Sequence, residues 1–149
     1  MAEIGFYHLT RTRLEQALPR LLGRVLATGG RAYVLCGEAE RAKALDAALW
    51  LSHDPDWLPH GMAGGENDPL QPILIGTADG PPANGARFLV LVDGAGSARL
   101  GDYDRVLDLF DGADEAAVVA ARGRWAAAKA AGHALTYWQQ GPSGWEKRA

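Results

Sequence analysis

Along the chain, short apolar runs alternate with longer stretches whose apolar positions recur at helical spacing. Ile4 to Leu9 is short, apolar and aromatic, which predicts a first strand. Leu14, Leu18, Leu21, Leu22 and Val25 then repeat every three or four residues, the stripe of an amphipathic helix. Thr12 and Glu15 have capping-box spacing for its start, Gly29-Gly30 stops it, and Pro19 inside it predicts a kink. Arg31 to Cys36 reads as a second strand. Ala39 to Trp50 reads as a second helix, with Leu45, Ala48 and Leu49 on one side and Trp50 as a core residue at its end.

The connection from Leu51 to Gln71 exceeds ordinary loop lengths and carries Trp57, Leu58, Pro59 and His60 with almost no charge after Asp56. A loop this apolar either folds back on its own domain or meets a partner, and Trp57 fits a core plug or an interface anchor equally well. Pro72 to Gly76 and the continuously apolar Phe88 to Val92 read as strands, the latter covered on both faces. Arg105 to Phe110 fits a strand better than a helix. Asp114 to Ala131 is the longest helix, closed by Gly132, and Leu135 to Gln139 is a last strand followed by a loose tail over 141–149. Strands alternating with helices predict a single α/β domain over residues 1–149. Its central sheet is mostly parallel with helices on both faces, in a Rossmann-like arrangement.

Composition adds two constraints. With 48% hydrophobic and 22% charged residues in 149, the chain has the make-up of an ordinary globular domain. Cys36 is the single cysteine, which excludes a disulfide framework and a cysteine metal cluster; within Tyr33-Val34-Leu35-Cys36 it reads as an inert strand residue. No run approaches the length of a membrane span and no signal pattern opens the chain, so a cytoplasmic protein without membrane contact is expected. The net charge of −3 is uneven: from Ala121 onward five basic residues face one acid, a net +4, which leaves −7 elsewhere. An acidic body argues against strong direct DNA binding, whereas a small basic end can receive one acidic segment.

The chemistry-bearing residues form no catalytic set. Gly94-Ala95-Gly96 begins like a dinucleotide fingerprint, but Arg99 stands at the third glycine position. Ser52-His53-Asp54 has triad residue types without triad geometry, and the acid pairs Asp54/Asp56 and Asp102/Asp104 lack a histidine at ligand spacing. His60, between Pro59 and Gly61, reads as a hydrogen-bonded organiser of its loop rather than a metal ligand. No catalytic residue, metal or cofactor is expected; the rival reading is a small nucleotide-binding protein or enzyme using the sheet crevice after Val92. Arg122, Trp125 and Lys129 are spaced i, i+3 and i+7 on one helix face, with Arg124 beside them. That face is either a solvated surface with Trp125 dipping into the core or a receptor for an acidic peptide ending in an aromatic residue and its carboxylate.

Five stretches, in order, carry a resemblance: Phe6-Tyr7-His8-Leu9, Leu45 to Trp50, Leu58 to Gly64, Arg122-Gly123-Arg124-Trp125 and Lys129 to His133. Together they resemble the chi subunit of bacterial DNA polymerase III, a clamp-loader accessory protein. The resemblance implies a non-catalytic replication adaptor with an α/β fold. It implies that the acidic, phenylalanine-terminated tail of single-stranded DNA-binding protein docks on Arg122, Arg124, Trp125 and Lys129. It places the psi subunit of the clamp loader on Trp50, Trp57, Leu58, Pro59 and His60, and raises a repair helicase as a second partner for the same loop. The position after the aromatic is often lysine in the family and is Ala126 here, a departure that removes one cation from the tail site.

Overall fold

In the computed structural model, which describes residues 1–52 and 58–149, the apolar runs become strands and the helical repeats become helices. The order is β1 (Glu3–Leu9), α1 (Leu14–Ala27), β2 (Ala32–Leu35), α2 (Ala39–Trp50), β3 (His60–Met62), β4 (Ile73–Gly76), β5 (Phe88–Leu91), β6 (Arg105–Asp111), α3 (Glu115–Ala130), β7 (Ala134–Gly141) and β8 (Gly144–Lys147). Short 3-10 turns occupy 68–70 and 100–102. One sheet holds all eight strands in the order β3-β4-β2-β5-β6-β1-β7-β8. Its pairings are parallel except the β7–β8 hairpin.

Alternation along each strand sends side chains to two separate cores. On one face Val34, Ile73, Ile75, Val90, Leu107 and Leu109 meet the apolar stripes of α1 and α2. On the other, Phe6, Tyr33, Leu35, Leu89, Val106 and Phe110 meet α3 and the loop residues Ala95 and Tyr103. The fold is therefore α/β with helices on both faces, as the alternation of elements predicts. Among the described residues no helix is long and apolar enough to cross a membrane.

Three local expectations are corrected, those for the start of α1, the long connection and the tail. Helix α1 begins one residue later than the Thr12/Glu15 box implies: Gln16 accepts from the Arg13 N–H at 3.2 Å, while the Thr12 hydroxyl accepts from Gln140 on β7. Pro19 is buried within α1, which is helical on both sides of it. The long connection contains an edge strand, β3, paired parallel with β4. The tail expected to be loose returns as β8, turning through Pro142-Ser143 so that Gly141 pairs with Gly144 and Trp138 with Lys147. Trp57 lies outside the described residues, as do His53, Asp54 and Asp56.

Candidate functional site

The α3 face is built from its caps inward. Asp114 accepts from the N–H groups of Ala116 at 3.0 Å and Ala117 at 3.3 Å, satisfying two donors that an α-helix start leaves open. At the other end Gly132 adopts φ +88 after the last turn, the position where a glycine avoids a Cβ penalty. Between them Val118, Ala121, Trp125 and Ala128 form the stripe that meets the sheet. Alanine on that stripe keeps the helix close, so Trp125 is the one large ring lowered toward the strands.

Trp125 enters a group of aromatic rings supplied by three strands. It meets Phe6 edge-on at 5.3 Å and Tyr137 at 6.1 Å, and Phe110 lies 6.2 Å from Tyr137. His8 stacks on Phe110 at 4.9 Å and places its Nδ1 2.5 Å from the Tyr137 hydroxyl. A Cβ at Gly112 would collide with the His8 ring, so glycine there is what admits the imidazole. Phe6, Phe110, Val118, Ala121, Trp125 and Tyr137 line an open cavity of about 340 Å³, with Arg122 and Arg148 among its walls.

Burial and then the nearby Arg122 charge hold the His8 imidazole below its ordinary value, while burial pushes the Tyr137 phenol up. Both shifts favour a protonated phenol hydrogen-bonded to a neutral His8. A histidine with a lowered folded pKa stabilises the fold above its unfolded value of 6.5 and loses that contribution as the pH falls through its folded value. Unfolding at pH 7 and at about pH 5 should show a stability loss that His8→Gln abolishes. An identical loss in the variant would assign the acid sensitivity to other groups.

The four basic and aromatic residues of α3 do not converge. Arg122 and Trp125 share the cavity, whereas Lys129 is exposed further along the helix and does not line it. Arg124 turns to the sheet and forks onto Asp108 of β6, Nε to Oδ2 at 2.6 Å and Nη2 to Oδ1 at 2.9 Å. Asp108 is 2% exposed. Burial raises its carboxyl above the ordinary value despite the opposing guanidinium.

A second surface lies at the β3 edge. The His60 side chain is buried, with Nδ1 2.7 Å from the Leu58 carbonyl oxygen and Nε2 3.1 Å from an Asp46 carboxylate oxygen on α2. It organises its loop, as its position between Pro59 and Gly61 predicts. Leu58 joins the α1–α2 core at 4% exposure and Pro59 is half-buried. Trp50, expected in the core, is 62% exposed and rests against the His60 ring with centroids 4.5 Å apart. The adjacent Leu51 is also exposed. Trp50 and Leu51 are thus an apolar patch backed by a fixed imidazole.

The crevice at the carboxyl ends of β1, β5 and β6 is larger, about 810 Å³, and is crossed by ion pairs of Arg41 with Asp93 and Glu15. Consecutive N–H groups after a first strand are the usual cradle for a phosphate in such folds. Here the N–H groups of Thr10, Arg11 and Thr12 all donate to Gln140 Oε1, at 2.9, 2.8 and 3.0 Å. A side chain of β7 already occupies the cradle. Cys36 is buried and its thiol is pushed up to about 11, chiefly by burial and then by Asp93, which keeps it unreactive. Asp102 and Asp104 pair with Arg99 and Arg87.

Sequence reasoning missed Asp108, Tyr137, Phe110 and Arg148 as site residues. A single acid inside the apolar run Val106 to Phe110 was a signal available for Asp108, because a buried carboxylate demands a partner. No individually curated protein matches the chain. The family model for the DNA polymerase III chi subunit, HolC, matches residues 1–136 of the 149. The chain belongs to the DNA polymerase III chi subunit family, and its role is that of an accessory protein of DNA replication.

Proposed function

We propose that this chi-family protein is a non-catalytic adaptor with two docking surfaces, linking the clamp loader to single-stranded DNA-binding protein. The observation that carries the reading is the aromatic cavity on α3 with Arg122 at its wall. A cavity of about 340 Å³ accommodates one aromatic side chain, and an arginine beside it can take the adjoining carboxylate in two parallel hydrogen bonds. Those are the chemical features of an acidic peptide ending in phenylalanine. Trp125 supplies ring area, Arg122 the charge, and Lys129 further positive field along the helix. Arg124 acts through Asp108, which fixes α3 against β6.

The psi subunit is assigned to the Trp50 patch, with Leu51 extending the apolar area and Leu58, Pro59 and His60 supporting it from beneath. A repair helicase would compete for the same patch. The two surfaces sit near opposite ends of the strand order, one beside β3 and the other over β6, β1 and β7, so both partners can be held at once.

The test is titration of a labelled acidic, phenylalanine-terminated peptide, and separately of a single-stranded oligonucleotide, across salt concentrations. Peptide affinity should fall with salt and then level off, because exposed charges are screened within about 10 Å at 0.1 M while ring burial persists. Arg122→Ala should weaken peptide binding by roughly 1.5–3 kcal/mol, the scale of a charge-assisted hydrogen bond. Tight oligonucleotide binding that keeps falling with log salt, with no peptide binding, would replace the adaptor reading with a nucleic-acid one.

A further inference from the structure

The cavity on α3 has a second cation from a part of the chain beyond the family match, which ends at residue 136. Arg148 follows β8, where its backbone N–H donates to the Tyr137 carbonyl at 2.7 Å and the Ala149 carbonyl accepts from the Tyr137 N–H at 3.3 Å. The β7–β8 register pairs Trp138 with Lys147, so one step further Arg148 stands opposite Tyr137. Cross-strand neighbours share a face of the sheet. Tyr137 forms a wall of the cavity, and Arg148 lines the same cavity as Arg122.

Three observations give that placement meaning. Arg124, the other arginine of the α3 motif, has its fork closed on a buried carboxylate. The residue after Trp125 is Ala126, so the helix offers no cation there. The Arg148 guanidinium, by contrast, pairs among the described residues with Glu146, Nη2 to Oε1 at 3.1 Å, and both side chains are about half exposed at 54% and 48%. An exposed pair of that kind exchanges readily, because its net stabilisation is small.

We propose that Arg148 is the second recognition cation of the α3 cavity: it releases Glu146 and holds an acidic side chain of the bound peptide, while Arg122 holds the terminal carboxylate. The β7–β8 hairpin thereby supplies the charge that α3 lacks at Ala126 and has committed at Arg124. This inference rests on the reading of the cavity as a peptide site. It adds a residue from a strand hairpin to a site otherwise built on α3 and the strands beneath it.

The probe is a fluorescein-labelled peptide of acidic residues ending in phenylalanine, titrated into wild-type protein, Arg122→Ala, Arg148→Ala, Arg148→Gln and Glu146→Gln. Both Arg148 variants should bind about three- to tenfold more weakly at low salt, with the difference closing as salt rises. Glu146→Gln should bind more tightly than wild type, since the internal competitor is gone. A peptide whose acidic side chains are replaced by their amides should bind wild type and Arg148→Gln alike, an outcome that a merely structural role for Arg148 would not produce. If Arg122→Ala weakens binding while both Arg148 variants bind as wild type does, the role of Arg148 is overturned and the cavity remains a peptide site. If wild type does not bind, or Arg122→Ala is without effect, the peptide-site reading itself fails and takes this inference with it.

Discussion

Replacing Arg124 with methionine should destabilise the protein by about 3–5 kcal/mol, the scale of breaking a buried ion pair. Arg124 and Asp108 face each other across the α3–sheet interface with side chains 20% and 3% exposed. Methionine keeps most of the apolar stem, so the loss isolates the charge rather than the packing. What remains is a carboxylate inside an apolar strand with its two-pronged partner gone. Converting both residues, Asp108→Leu with Arg124→Met, should restore most of the stability, because well-packed apolar side chains can replace a buried pair at little cost. Urea unfolding of the three proteins decides it, and a single-variant loss under about 1 kcal/mol would mean that the pair is hydrated.

The same pair has a definite pH signature. Burial raises the Asp108 carboxyl above 3.8 even with Arg124 in place, so the folded chain takes up this proton more readily than the unfolded chain. Stability from this group therefore falls as the pH rises from 3.8 through the folded value. Removing Arg124 removes a lowering influence and widens that window. The deficit of Arg124→Met should shrink between pH 7 and about pH 4. Glu15 has the opposite sign. Burial alone would raise its carboxyl, but its backbone hydrogen bond and the Arg41 and Arg13 guanidiniums together hold it low, so its contribution is lost on acidification.

What could be read from the sequence followed the strength of each local signal. Helix α2 occupies Ala39–Trp50 as its periodicity predicts, and β6 follows the apolar run from Val106 to Phe110. Strand β3 has three residues, His60-Gly61-Met62, too few for any alternation to register, and it forms because β4 offers an unpaired edge. Strand β8 reads Gly-Trp-Glu-Lys with one apolar residue, so only its pairing with β7 makes it a strand. That hairpin hid Arg148, and with it one wall of the α3 cavity. Arg122, Arg124 and Trp125 were legible as a cluster but not as separate roles. A step of one or two positions turns a side chain by 100° or 200° around the helix, which sends Arg124 to Asp108 and leaves Arg122 beside Tyr137. Trp50 was misjudged on residue type alone. The buried stripe of α2 is Ala42, Leu45 and Leu49, and one further residue rotates off it.

The second large effect belongs to that tryptophan. Trp50→Ala should weaken binding of the psi subunit by about 2 kcal/mol or more, roughly thirtyfold, while leaving the melting temperature close to that of wild type. The ring is 62% exposed at the end of α2, so little core area is lost when it is removed. The His60 ring on which it rests is held independently by Leu58 and Asp46 and should keep its place. An exposed indole backed by a fixed imidazole has its orientation largely set before a partner arrives, which lowers the ordering cost of binding. Calorimetry with psi measures the loss. The same variant titrated with the acidic tail peptide should bind as wild type does, because the α3 cavity is built on β6, β1, β7 and the residues after β8, and sites this separate act additively. Loss of peptide binding together with psi binding would mean that the two surfaces are coupled or that the fold has collapsed, and a melting curve separates those cases. Unchanged psi affinity in a well-folded Trp50→Ala protein would move the clamp-loader contact off this patch.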